Sequence, residues 1–170
     1  MRSDIREGST FPDYELADQA GKRRSLSELQ GANAMVLHLS RGGFDPKEHQ
    51  FLRQFVDAYP QFRNAYTRLV VISTDNQLNI NEFRDALGAT WPFLSDPDRT
   101  IQKDLDIKEF TDEPHDPMIP HTFVSNRGSR SPRSTTATGT GVARRSLSCM
   151  WIYGLSLRRL GRTSTWEPRA

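Results

Sequence analysis

The chain has 170 residues, enough for one domain with a sizeable core, and no apolar run in it approaches the length that a membrane-crossing helix needs. Its single cysteine, Cys149, excludes an internal disulfide and any metal site built on a cysteine pair. The net charge of +2 conceals two unlike parts: residues 1–124 hold 14 Lys and Arg against 20 Asp and Glu, whereas residues 125–170 hold nine Arg, no Lys and one Glu.

Residues 11–16 (FPDYEL), a turn at Asp18-Gln19-Ala20-Gly21 and residues 22–26 (KRRSL) predict a short hairpin. Ser25 caps a brief helix over Ser25-Leu26-Ser27-Glu28-Leu29, with Glu28 at its third position. The charged opening MRSDIREG has no signal-peptide core, so a cytoplasmic protein is expected.

The next stretch carries the chemistry. Ala34 to Leu39 is an apolar run closed by a turn signal, a length that suits a buried strand. Gly42 and Gly43 bend the backbone. Asp45-Pro46-Lys47-Glu48 then opens a helix, with Asp45 as N-cap, Pro46 at the first helical position and Glu48 placed to complete a capping box. Phe51, Leu52, Phe55, Val56 and Tyr59 form one apolar stripe along it. A strand that hands a loop to a helix N-terminus creates a place where anions and thiolates are stabilised, because unpaired N–H groups and the helix dipole both point into it. The residue at that point is a carboxylate.

Thr67 to Ser73 (TRLVVIS) is a second buried strand, and Asn79 to Leu87 has helical spacing through Ile80, Phe83 and Leu87 before a stop at Gly88. Residues 91–96 (WPFLSD) predict a short strand, and Thr100 to Leu105 a further turn or two of helix. Strands that alternate with helices imply an α/β domain with a mostly parallel sheet between helices.

At these residues the chain resembles the thioredoxin-fold, peroxiredoxin-like proteins of the alkyl hydroperoxide reductase / thiol-specific antioxidant family. Many members carry Arg-Gly-x-x-Cys-Pro, with or without a further x-Cys, between the strand and the helix. Here the stretch reads Arg41-Gly42-Gly43-Phe44-Asp45-Pro46-Lys47-Glu48. Asp45 therefore stands at the position of the peroxidatic cysteine and Glu48 at that of a second cysteine. The family's other form, Pro-x-x-x-Thr-x-x-Cys, is not matched, since His38 and Gly42 occupy the Pro and Thr positions. The phrases around Phe11, V-V-I-S-T-D, W-P-F-L-S-D-P and D-L-D-I also follow in the family's order. The resemblance implies a thioredoxin-like fold with a central mixed sheet flanked by helices. It also implies a lineage of thiol-dependent peroxide reduction, a homodimer as one assembly, and a cis bond at Pro120 ahead of the strand His121-Thr122-Phe123-Val124.

Beyond Val124 the pattern vanishes, so residues 1–124 read as an incomplete thioredoxin-like domain and 125–170 as a basic Ser/Arg-rich tail. Shifting the reading frame by one base in the tail permits N-G-Y-W-Y-W-G-R-P from Thr135 to Arg144, L-H-V-D-L-R-A from Ser148 to Leu155 and P-D-F-D-L-G from Gly161 to Glu167. Met150 and Trp151 have single codons, which forces the Val and Asp of the second phrase. One shift serves all three segments, and the recovered phrases resemble the family's closing strand and helix. A frame change near Val124 to Asn126 is the reading that follows.

For function, Asp45 is explained by capping alone, a contribution of about 1 kcal/mol. It cannot serve as a peroxide-reducing nucleophile, because that step needs a thiolate that becomes a sulfenic acid. Altered, non-thiol chemistry in a pocket of Arg41, Asp45, Glu48, Pro120 and His121 is the enzymatic alternative. Arg41 is expected to pair with Asp45 or Glu48, His38 to be a satisfied core histidine, and His121 to be the histidine facing the pocket. His115 lies in an acidic, solvated loop. Spacing of Asp45, Glu48 and His49 on one helix arises readily by chance, so no metal or cofactor is expected. The tail arginines would draw nucleic acid only non-specifically, through phosphate contacts.

Overall fold

A computed structural model describes residues 1–126. Six strands and four helices follow one another as β1 (Glu15–Asp18), β2 (Arg23–Ser25), α1 (Leu26–Gln30), β3 (Ala34–Ser40), α2 (Pro46–Asn64), β4 (Thr67–Ser73), α3 (Gln77–Leu87), β5 (Phe93–Ser95), α4 (Thr100–Asp104) and β6 (His121–Ser125). They form one sheet of order β2-β1-β5-β4-β3-β6. Its middle is built by β3 and β4, each seven residues long and paired in parallel from Ala34↔Thr67 to Ser40↔Ser73. Both strands are almost wholly buried because helices cover both faces, which is why they read as continuous apolar runs and not as alternating ones.

The expectation of a mostly parallel sheet is corrected by the pairing. Only β3–β4 and β4–β5 are parallel, while β1–β2, β1–β5 and β3–β6 are antiparallel. The physical reason lies in the connections: α2 and α3 provide the crossovers that parallel neighbours require, whereas β1 and β2 form a hairpin and β6, after the short α4 and the loop of residues 105–120, runs back against β3. The result is the mixed, helix-flanked sheet of a thioredoxin-like fold.

Three of the four helices begin where the sequence supplies a capping side chain. Ser25 accepts from the Glu28 N–H at 3.1 Å, Asp45 from Lys47 N–H at 2.8 Å, and Asn76 from Asn79 N–H at 3.0 Å. Gly88 closes α3 with φ of 67°, the left-handed cap that glycine adopts without strain. Helix α2 spans 19 residues and carries Pro60 inside it, so one backbone bond of its last turns is missing. Leu52 and Phe55 of α2 pack with Ile80, Phe83, Trp91 and Phe93 on one face of the sheet. On the other face Leu37, Leu39, Val70 and Ile72 meet Leu26, Ile101, Leu105 and Phe123.

Pro120 is not preceded by a cis bond, since every peptide bond in the described residues is trans. The Ile119 N–H already bonds the Ile107 carbonyl at 2.7 Å and Lys108 bridges Met118, so the chain enters β6 extended and a trans proline fits. Among the described residues no helix is long and apolar enough to cross a membrane. The expectations for the basic tail and its reading frame fall on residues 127–170, outside the described residues.

Candidate functional site

The loop between β3 and α2 is held from three sides. Gly42 has φ of 130°, a conformation suited to glycine. At Gly43 an added Cβ would lie 2.9 Å from the Phe83 Cβ, so the backbone there is pressed against α3. The Gly43 N–H donates to Asp75 Oδ2 at 2.8 Å, and Ser73 Oγ donates to the same oxygen at 2.9 Å. From the other side His49 Nε2 lies 2.8 Å from the Gly43 carbonyl. The loop thus fixes the start of α2 against both β4 and α3.

At that start Asp45 is 8% exposed and uses both carboxylate oxygens. Oδ1 takes the Lys47 N–H, and Oδ2 takes Arg41 Nη1 at 3.1 Å. Arg41 in turn gathers two distant acids: Nη2 donates to Glu109 Oε1 at 3.0 Å and to Asp112 Oδ2 at 3.3 Å. Its Nε lies 2.8 Å from Glu109 Oε2, within ion-pair range although that N–H is not aimed at the oxygen. Burial acts to lower the Arg41 pKa, but the bond to Asp45 and the charges of Glu109, Asp45 and Asp112 outweigh it and raise it. The loop that supplies Glu109 and Asp112 is also stacked down. The Phe44 and His115 rings lie 3.8 Å apart and 5° from parallel, and the Arg41 guanidinium sits 5.7 Å from the Phe44 ring centre.

One turn below, Glu48 points inward and not back along the helix. Its Oε2 accepts Ser40 Oγ at 2.6 Å and faces His38 Nε2 at 3.0 Å, and Glu48 and His38 are 5% and 2% exposed. Burial pushes the Glu48 carboxyl up, yet the bonds from His38 and Ser40 and the Arg41 backbone N–H outweigh it and hold the carboxyl below its ordinary value. An ionised Glu48 can only accept, so the bond between them is donated by His38 Nε2. His38 Nδ1 meets Thr122 Oγ1 at 2.9 Å, which joins α2, β3 and β6 through one buried polar network.

The structure brings Arg41 and Asp45 together, as the sequence suggested, and places Glu48 beneath them. The second half of the expected capping box is absent, because the Glu48 carboxylate bonds His38 and Ser40 and the Asp45 N–H bonds the Gly42 carbonyl at 3.3 Å. His121 is set apart. It pairs with Leu39 across the ladder while Thr122 pairs with His38, so His121 lies on the opposite face of the sheet from Glu48. Its Nδ1 is bonded to the Ile119 carbonyl at 2.7 Å, and burial lowers its pKa. Pro120 precedes it without joining the Asp45 cluster by any described contact. His115 is half exposed, but stacked and bonded to Asp112 at 2.9 Å, not simply solvated. Among the described residues no three His, Cys, Asp or Glu side chains converge as a metal site.

Two features escaped the sequence: the buried His38–Glu48–Ser40 network and the Glu109/Asp112 pair on Arg41. A signal for the first existed, since His38 and Ser40 are two apart in a strand and share a face. No local signal marks the second.

Comparison with known proteins places this geometry. ResA of Bacillus subtilis, a thiol-disulfide oxidoreductase by name, is 24% identical over 140 residues, 82% of this chain and 72% of that protein. Peroxiredoxin Q of Suaeda salsa is 29% identical over 103 residues, 61% of this chain and 48% of its own length, so the chain spans about half of that relative. Among solved structures, peroxidoxin BcpB of Mycobacterium tuberculosis superposes with a TM-score of 0.67 at 24% identity over 86% of each chain, a likeness of fold. The AhpC/TSA family itself matches residues 8–129, from before the first hairpin to just past β6. With the strand, glycine loop and capped helix in the family's arrangement, this chain belongs to the AhpC/TSA family and is a peroxiredoxin-like domain.

Proposed function

We propose that this domain keeps the scaffold of a thiol-dependent peroxide reductase without its chemistry, and acts as a binding or regulatory member of the family. The observation that carries this reading is Asp45. It occupies the N-cap of α2, where the resemblance puts the attacking cysteine, and its carboxylate is already committed to Lys47 and Arg41. Peroxide reduction requires a sulfur that leaves the step as a sulfenic acid; a carboxylate offers none. The relatives' names speak of peroxiredoxin and thiol-disulfide chemistry, both built on cysteine, and the sole cysteine here is Cys149. The cytoplasm is the proposed location, in keeping with a chain whose one cysteine leaves no disulfide to form within it.

The full chain, given a thiol reductant and either hydrogen peroxide or an alkyl hydroperoxide, is expected to consume reductant no faster than a protein-free control. Turnover that persists in Cys149→Ser would overturn the proposal.

We also propose that residues 125–170 are translated out of frame. The family match stops at residue 129, close to where the charge and apolar patterns change. The nucleotide sequence around codons 124–126 checks this. An alternative frame interrupted by stops, with none of the three recovered phrases, would remove it.

A further inference from the structure

At the end of the domain opposite Asp45, a groove of about 380 Å³ opens beside the start of β4, between the ends of α1 and α2. Its cause is the shortness of β5, which pairs with β4 only at Val71, Ile72 and Ser73. Among the described residues the first four of β4 have no strand partner on that edge, up to the point where the Val71 N–H reaches the Pro92 carbonyl at 3.1 Å. A volume of this size matches a small-molecule pocket.

The lining is cationic. Arg24, Arg63 and Arg68 line it against one carboxylate, Glu28, which sits 3.4 Å from Arg24 Nη1. Arg24 Nε is buried and makes no hydrogen bond. Arg63 and Arg68 have no side-chain hydrogen bond or ion pair among the described residues. This contrasts with Arg41, where three carboxylates lie within ion-pair distance of one guanidinium. The C-terminal end of α2 brings a partial negative charge of roughly half a unit to the groove, too little to answer two full cations. Two tyrosines complete the walls. Tyr59 is braced by Trp91 with ring centres 4.9 Å apart, and Tyr66 is 70% exposed.

We propose that this groove binds a small organic phosphate bearing a flat ring, of the mononucleotide class, with Arg63 and Arg68 holding the phosphate and Tyr59 and Tyr66 flanking the ring. Guanidinium forks match phosphate oxygens in geometry as well as charge, and aromatic side chains give a base a stacking surface that is indifferent to its identity.

Calorimetric titration of the full chain with adenosine monophosphate, adenosine and inorganic phosphate tests this. Adenosine monophosphate is expected to bind at a single saturable site, with adenosine and inorganic phosphate each weaker by about tenfold or more. Arg63→Ala and Arg68→Ala are each expected to weaken it by about tenfold. Arg53→Ala, an exposed site on α2 outside the groove lining, should leave it unchanged. The paired Arg63→Lys/Arg68→Lys variant keeps charge and loses only the fork, so its loss should be partial. Absence of binding by the wild-type chain, or affinity that survives Arg63→Ala/Arg68→Ala, would overturn the proposal, the latter assigning the phosphate to other arginines. Adenosine binding as tight as its monophosphate would overturn it equally.

Discussion

Replacing Glu48 with alanine is expected to destabilise the domain by about 3–5 kcal/mol. The side chain is 5% exposed, and its removal strands the Ser40 hydroxyl and His38 Nε2 in a space that water fills poorly. Each orphaned donor costs roughly 1–3 kcal/mol and the cavity adds to it. Glu48→Gln retains an oxygen that can accept from both partners, so its loss should be nearer 1–2 kcal/mol. Urea unfolding at neutral pH measures both, and an alanine effect under about 1 kcal/mol would show that the network carries little of the fold's stability. The same carboxylate sets a pH dependence. Its folded pKa lies below the ordinary 4.5, so the stability that it contributes is complete above that value. The contribution is lost as pH falls through the folded pKa. The gap between the wild type and Glu48→Gln should therefore close on acidification, and a gap that widens would contradict the assignment.

Asp45→Cys is expected to produce a thiol more acidic than the free value of about 8.5. The new sulfur would face the Lys47 N–H that Asp45 now accepts at 2.8 Å and the Arg41 guanidinium that now lies 3.1 Å from its carboxylate. Helix N-terminus and cation both favour the thiolate. Glu109 and Asp112 oppose this by sharing Arg41, so the shift should be smaller than an unencumbered arginine would give. With hydrogen peroxide the thiolate attacks one peroxide oxygen and the O–O bond breaks. The sulfur is oxidised to a sulfenic acid, and the second oxygen leaves as water after protonation. The pH profile of alkylation gives the thiol pKa, and a sulfenic acid trap followed by mass spectrometry reads the oxidation, both in a Cys149→Ser background. A thiol pKa at or above the free value would mean that the loop does not present its N–H groups to this position. Adding Arg41→Ala should raise the pKa toward the free value.

The strand, glycine turn and helix around Asp45 were legible because each depends on local chemistry: a cap that bonds two residues ahead, a proline that has no N–H to lose, and a glycine with φ of 130°. What was not legible depends on register. Whether His121 faces the Asp45 side is decided by its pairing with Leu39, and a slip of one residue would have reversed it. Glu48 posed a different difficulty. A glutamate three residues after a cap serves equally as the return arm of a capping box or as an inward anchor. Only the arrival of His38 and Ser40 beneath it selects the second. The acids on Arg41 come from positions 109 and 112, a long loop away, where nothing local announces a partner. The groove was hidden for the same reason, since it arises from how few residues of β5 pair with β4.

Helix α2 joins the two ends of the domain, and Pro60 divides it unequally. The 19 residues from Pro46 to Asn64 span roughly 28 Å, with Asp45 and Glu48 at one end and Tyr59 and Arg63 at the other. Upstream of the proline the helix is anchored by Leu52 and Phe55 in the core and by the Glu48 bonds. Downstream, the missing N–H leaves the Val56 carbonyl without its usual helical donor. The turns on either side of that carbonyl are nonetheless tied to one core, by Leu52 and Phe55 before it and after it by Phe62, whose ring centre lies 6.1 Å from that of Phe55, so the helix crosses the domain as a single brace between the Asp45 end and the Arg63 end.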